Sequence, residues 1–273
     1  MANEMMKRWY NAAKTRASVR EYSGKVPKEM FYRLKNFAES LDNGDARIEF
    51  KSKSGVLERP RFLSFLGGVG GTNCFAAIIV RDDNKFMGGY IGEAFVLECV
   101  SMGLGTCWLG GTYKKGALKN YFDLDEDEKL LCVISVGRAA DKPQPAEKKT
   151  IEKLTGLSEV DFNELPKWQQ SAIEIARLAP SALNKQPWEL EIERDYIRII
   201  NTKRNFGFGD VDCGIAMLHI EIGAAACGVH GDWFFDGEDG EARFVPFADR
   251  LNVFADEEHA DDDTYDPEDD FEE

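Results

Sequence analysis

The sequence predicts an α+β protein built from two similar α/β halves, residues 1–155 and 156–255, with antiparallel or mixed sheets and a central helix in each half. Three observations lead to this. Short continuous apolar runs, of the kind found in strands buried on both faces, alternate with longer stretches of helical periodicity. Two helical stretches, 88–102 and 210–227, are apolar around most of their circumference, so each is expected to be surrounded by protein. These two stretches also match each other. Tyr90-Ile91-Gly92-Glu93-Ala94-Phe95 lines up with Asp212-Cys213-Gly214-Ile215-Ala216-Met217, and Met102-Gly103-Leu104-Gly105 with Cys227-Gly228-Val229-His230. The spacing of 122 to 125 residues marks an approximate internal repeat, not a solenoid period.

Taken in order, Met1 to Tyr10 reads as a short amphipathic helix with Met5, Met6, Trp9 and Tyr10 on one side. Pro27 opens a second helix that runs to Ser40 and gathers Met30, Phe31, Leu34, Phe37 and Ala38 on one face. Residues 42–71 are loop-rich, with one strand near Arg47–Lys51, and Asn73 to Val80 is a buried strand. The helix at 88–102 ends at Gly103 and Gly105, after which Trp108-Leu109-Gly110-Gly111 is extended. An acidic turn, Asp123 to Glu128, precedes a strand at Leu130–Gly137. The proline-containing linker Lys142 to Lys149 leads into the second half. There the expectation is a helix at Trp168–Ala179, strands at Leu190–Ile192 and Tyr196–Ile200, the second central helix, and strands at Val229–Phe235 and Ala242–Phe247.

Composition narrows the function. With 273 residues, 43% apolar residues and 18 Phe, the chain has ample material for a buried core. The net charge of −15 is concentrated at one end: residues 256–273 hold twelve carboxylates and no Lys or Arg, leaving −3 for the rest. No basic field for nucleic acid exists, and no uninterrupted apolar run reaches the roughly 18 residues of a membrane span. The N-terminus lacks a signal-peptide pattern. Six cysteines without C-x-x-C spacing read as reduced, core-filling thiols, which points to a cytoplasmic protein. His219, His230 and His259 are scattered, so no metal site is expected.

Three stretches stand out. Ala179-Pro180-Ser181-Ala182-Leu183-Asn184-Lys185-Gln186-Pro187-Trp188 joins a helix to a strand. Pro180 stops the helix, Ser181 and Asn184 bond their own backbone in turns, and Pro187 keeps the chain extended. The result is a rigid turn presenting a hydroxyl, two amides and backbone groups at one point, although in isolation an ordinary connection reads equally well. Arg16-Ala17-Ser18-Val19-Arg20-Glu21-Tyr22 places two guanidiniums around a hydroxyl. That suits a phosphate, because Arg forks bind its oxygens bidentately. Ser18 and Glu21 also have capping-box spacing, but Gly24 and Pro27 argue against a helix there. Gly103-Leu104-Gly105-Thr106-Cys107-Trp108-Leu109-Gly110-Gly111 is either a glycine cap and turn or a place where backbone amides approach a flat ring.

Together the three resemble the motifs of the FMN-dependent nitroreductase family: A-P-S-x-x-N-x-Q-P-W, R-x-S-x-R-x-F/Y and G-L-G-T-C-W. The resemblance covers about residues 8 to 250. It implies a nitroreductase-like fold, bound FMN, NADH or NADPH as hydride donor, and a small acceptor such as a nitroaromatic or quinone. It implies that Arg16, Ser18 and Arg20 anchor the phosphate and that Trp108, Leu109, Gly110 and Gly111 wall one edge of the ring. Pro180, Ser181, Ala182 and Asn184 then bond the ring from the opposite side. The linker is similar to the family's K-P-x-x-(K/R) segment, which offers Lys148 and Lys149 to the same phosphate; solvated linker lysines are the plainer alternative. Gln186 and Trp188 are expected to be structural, and no side chain need act as nucleophile or acid, since FMN carries the chemistry. A flavin-binding sensor or interaction protein without turnover is the alternative function.

The family ordinarily carries all three motifs in each subunit of a homodimer. Here the first two lie in the first half and the third in the second, which resembles a rarer branch with two degenerate half-subunits fused into a single-chain pseudo-dimer. The parts complete one site. Leu157 to Trp168 contains no Arg, and Glu39 stands where the matching turn would need Pro180. The expectation is therefore one FMN per monomer. The tail, 256–273, is expected to be disordered, because its carboxylates cannot offset the entropy of ordering. Its deletion should leave the melting temperature and flavin content unchanged; a drop of many degrees would show that it packs on the body.

Overall fold

The computed structural model describes residues 2–57, 68–118, 121–142, 144–235 and 240–247. The acidic tail, the middle of the 42–71 stretch and Pro143 lie outside the described residues. The first part of the chain runs α1 (Ala2–Thr15), β1 (Tyr22–Gly24), α2 (Lys28–Ser40), β2 (Ala46–Ser52), β3 (Cys74–Arg81), α3 (Lys85–Ser101), β4 (Gly105–Leu109), α4 (Lys115–Leu118) and β5 (Glu128–Ala139). The second runs α5 (Ile151–Thr155), α6 (Glu159–Glu164), α7 (Lys167–Leu178), β6 (Trp188–Ile192), β7 (Ile197–Asn201), α8 (Gly209–Ala226), β8 (Gly231–Phe235) and β9 (Glu241–Pro246).

The fold is α+β with two antiparallel sheets, as the sequence leads one to expect. One sheet has the order β2-β3-β5-β4, with β1 added on β5; the other has the order β6-β7-β9-β8. Both follow a single path, helix–strand–strand–helix–strand–strand, with α2 and α7 opening it and α3 and α8 at its centre. The two copies differ where the opening helix meets its strand. Residues 41–45 suffice between α2 and β2, whereas 179–187 intervene between α7 and β6.

Five elements depart from the sequence reading, which offers no counterpart to β1 or α4. α1 continues to Thr15, so Arg16 follows the helix directly. α5 and α6 are short helices set by caps, not by periodicity. Thr150 and Ser158 each accept a backbone N–H, Ser158 forms a capping box with Asp161, and Gly156 takes a left-handed conformation (φ 73°) after α5. Among the described residues no helix is long and apolar enough to cross a membrane.

α3 and α8 cross at the centre of the molecule, and glycine permits the crossing. A Cβ on Gly89 would lie 2.1 Å from the Val211 carbonyl oxygen, and one on Gly214 would lie 1.9 Å from that of Phe86. Each helix thus presses a glycine against the other's backbone, while Phe95, Val96 and Leu97 on α3 and Met217, Leu218 and Ile220 on α8 are fully or almost fully buried. α1 lies across the pair, burying Trp9, Ala12 and Ala13 against Leu97, Leu218 and Ile222. Gly89→Val and Gly214→Val should each push the helices apart and cost about 1–3 kcal/mol or more. Urea denaturation measures this, and an unchanged midpoint for both variants would show that the helices do not meet so closely.

Candidate active site

Beyond α1 the chain lies extended along the edge of β4. Ser18 bridges Thr106 in parallel, and Val19 N donates to Thr106 O at 2.8 Å. Extended backbone puts Arg16, Ser18 and Arg20 on one side. Burial raises the pKa of the Cys107 thiol, and the nearby charges of Arg20 and Arg16 and a hydrogen bond from Ser18 oppose that rise. Ser18 and Arg20 are exposed; Arg16 is buried.

Arg16 turns inward toward α3. Its Nε lies 3.9 Å from Glu93 Oε1, too far for a hydrogen bond, and has no partner. Burial pulls its pKa down, with Glu93 and Cys107 opposing, yet a guanidinium remains charged. Glu93 itself has no solvent exposure. Its Oε1 also faces His219 Nε2 at 3.1 Å, and its Oε2 accepts from Trp108 Nε1 at 2.9 Å. The other ring nitrogen of His219 lies 3.0 Å from Ile175 O. A single carboxylate thereby fixes Arg16, Trp108 and α8 relative to one another.

Lys148 arrives from the linker. Its Nζ donates to Ala179 O (2.8 Å) and Asn184 Oδ1 (3.1 Å). Burial and then repulsion from Arg16 bring its pKa to about 8, against the pull of Glu93 and Asp212. Lys149 goes elsewhere, its Nζ donating to Gln186 O at 2.7 Å beside Lys203 and Glu189. Of the two linker lysines, only Lys148 stands with Arg16.

The 179–187 turn is tightly knit. Gln186 N donates to Ser181 Oγ (2.8 Å) and Asn184 Nδ2 to Glu147 O (2.7 Å). Leu183, Asn184 and Gln186 all have left-handed backbone, φ 53°, 55° and 47°. Such conformations cost of order 1–3 kcal/mol each and concentrate at functional sites. The side chains of Ser181 and Asn184 are therefore engaged within the protein, and the turn offers its backbone and the exposed Leu183 outward. Opposite lies the loop before α8, where Asn205 and Phe206 are also left-handed (φ 40° and 59°). Asp212, in the first turn of α8, joins turn and loop. Its Oδ1 accepts from Ala182 N (2.9 Å) and its Oδ2 from Asn205 Nδ2 (2.6 Å). Burial raises the pKa of this carboxyl to about 7 in spite of both hydrogen bonds and Lys148.

The expected ring wall divides. Trp108 is half-buried and tied to Glu93, while Leu109 faces the opposite side of the sheet in a cluster with Phe75 and Tyr113. A Cβ on Gly110 would lie 2.5 Å from the Phe208 ring, so this glycine lets the loop before α8 close onto β4; around Gly111 there is open space. The surface hollows beside Arg47 and beside Cys227 include none of these residues.

Do the residues fit a phosphate? Arg16 Nε and Thr106 Oγ1 are buried without partners. Lys148 stands close to Arg16, and Ser18 and Arg20 extend the same strand outward. Buried donors without acceptors are rare in native proteins, and apart from the hydroxyls and Glu93, whose oxygens are taken by His219 and Trp108, this set is all donors. An anion satisfies it. The residues fit.

Sequence reasoning did not single out Glu93, His219, Asp212 or Asn205. The signal for Glu93 was a lone ionisable group inside a helix apolar on every side, which demands a buried partner. Glu98 carries the same signal and accepts from Trp9 Nε1 at 2.9 Å.

A family model described as "Putative TM nitroreductase" matches residues 8–224. A solved structure of a "putative nitroreductase" from Thermotoga maritima shares 21% identity and superposes with a TM-score of 0.61, over 87% of this chain and 93% of that one. A "putative nitroreductase in complex with FMN" from Desulfovibrio desulfuricans (16% identity, TM-score 0.43) covers 55% of this chain and 96% of its own. A "putative NAD(P)H:FMN oxidoreductase" from Staphylococcus epidermidis (12% identity, TM-score 0.44) covers 54% and 93%. No curated protein matches the sequence.

Glu93→Ala should destabilise the fold by about 3–5 kcal/mol, since it strands a buried guanidinium. Adding Arg16→Met should recover part of the loss. Urea denaturation of both variants checks this; a loss under about 1 kcal/mol would mean that Arg16 does not depend on Glu93.

Proposed function

Because the chain belongs to the nitroreductase family whose model spans residues 8–224, we propose that it is an FMN-dependent oxidoreductase that takes hydride from NADH or NADPH and passes it to a small acceptor such as a nitroaromatic or quinone. FMN, when bound, supplies the redox chemistry. The observation that carries this reading is convergence: Arg16 from the N-terminal segment, Lys148 from the linker and the 179–187 turn meet in one place although they are far apart in sequence.

Each group has a role in this proposal. Arg16, Lys148, Ser18 and Arg20 bind the phosphate, Arg16 as the buried, pre-aimed cation and Arg20 as the exposed one. Glu93 keeps Arg16 and the Trp108 indole aligned, so that phosphate and ring are located by one carboxylate. Lys149, bonded to Gln186, supports the turn from behind. The turn and the loop before α8 bound the ring side.

The halves 1–155 and 156–255 then work as a pseudo-dimer with one complete site. The shared strand path supports this, and so does the contrast between the short 41–45 connection and the nine-residue turn of the second half. The experiment is a titration of apo-protein with FMN, with the mass followed by light scattering. One FMN per monomer, a yellow protein and bleaching by NADH or NADPH are expected; two FMN per chain would sink the single-site reading. A yellow protein that NAD(P)H never bleaches would support flavin binding without turnover. Arg20→Ala should weaken FMN binding by about 1.5–3 kcal/mol, the scale of a charge-assisted hydrogen bond, and leave riboflavin binding nearly unchanged. Equal FMN affinity in the variant would remove Arg20 from the grip.

A further inference from the structure

Two stretches of left-handed, non-glycine backbone face each other, one at Leu183–Gln186 and one at Asn205–Phe206. Strained backbone of this kind persists only where surrounding structure over-determines it. Here the shared restraints run through two side chains, Asp212 and Asn205. Asp212 Oδ1 accepts from Ala182 N and Oδ2 from Asn205 Nδ2, while Asn205 Nδ2 also reaches Ala182 O at 3.1 Å. We propose that Asp212 is a positioning residue for the flavin: it locks the turn and the loop that bound the ring into one rigid edge, and only as a carboxylate does it hold both. This rests on the flavin site proposed above.

The hydrogen-bond inventory supplies the argument. Both partners of Asp212 are donors, so an ionised acid satisfies both. A protonated acid keeps an acceptor for Ala182 N but turns an O–H donor toward the Asn205 amide, so Asp212 lets go of the loop and only the longer Asn205 Nδ2–Ala182 O bond still joins it to the turn. The loop matters to the site because Phe208, three residues beyond Asn205, seats on Gly110 of the expected wall. The charged and titratable groups acting on Asp212, or acted on by it, are Lys148 from the linker, Cys132 of β5 and its neighbour Cys213. Lys148 favours the carboxylate, and burial disfavours it enough to place its titration near neutrality.

Two opposite pH trends follow. For folding, the acid's pKa rises from its ordinary value to about 7, so the folded state binds the extra proton. Asp212 therefore lowers stability as pH climbs between the two values. For flavin the sign reverses, because affinity needs the ionised form. A merely structural carboxylate shows the first trend without the second.

The test is the Kd of FMN, read by quenching of flavin fluorescence at roughly pH 6 and roughly pH 8.5, on either side of that titration. The intact chain, Asp212→Asn and Asn205→Ala are compared. Free FMN is the same ligand in every arm, so the ionisation of its phosphate near pH 6 drops out of the ratio between variants. Relative to Asp212→Asn, the parent should gain about tenfold in affinity between the two pH values, about what one lost hydrogen bond to a charged group is worth. Asn205→Ala should lower affinity at the higher pH only. Should Asp212→Asn fail to fold, Asn205→Ala still decides, since it leaves the carboxylate in place. Equal affinities for parent and variants at both pH values overturn the positioning role while leaving the flavin site intact. Absence of FMN binding by the parent overturns the site and this inference together.

Discussion

The crossing of α3 and α8 sets the terms for everything around it. Two helices that touch backbone to backbone at Gly89 and Gly214 leave no room for polar residues that lack partners, so most of their surface is aliphatic. The exceptions become decisive. Glu93 and His219 are paired across the crossing, and their remaining hydrogen-bonding capacity is directed at Arg16, Trp108 and Ile175. Asp212, at the solvent end of α8, extends the same logic to the turn and the loop. The helix pair is thus both the hydrophobic centre and the frame that aims the cations.

Such a frame explains why buried charges are tolerated. A guanidinium and a carboxylate taken out of water cost several kcal/mol each, and their attraction alone seldom recovers it. Here the cost is spread over a network that leaves Arg16 Nε without a partner. Its partner is the ligand in the reading advanced above. A site of this kind trades stability of the empty protein for affinity, because the desolvation of Arg16 is met during folding and not at binding.

Much of this was legible from the sequence. The central helices announced themselves by apolar residues on every side, β3 by an unbroken apolar run, and the 179–187 turn by its prolines. Arg16 to Arg20 read as a phosphate grip, and the chain does bring Arg16 to Lys148. What the sequence hid was long-range pairing. Nothing local distinguishes Lys148 from Lys149, and only the placement of Arg16 beside one and of Gln186 beside the other separates them. Glycines misled for a related reason: Gly110 looked like room for a ring, and the structure fills that room with Phe208. Caps built α5 and α6, which are too short for periodicity to reveal.

Segments joining two halves of a chain are usually spacers, indifferent to their own length. Residues 147–149 instead make five hydrogen bonds with the 179–187 turn, through Glu147 O, Lys148 Nζ (two) and both nitrogens of Lys149. The connection is a strut, cut to length. A residue inserted here would shift a cation and loosen a strained turn at once, so the length of this connection is tied to the geometry of the site.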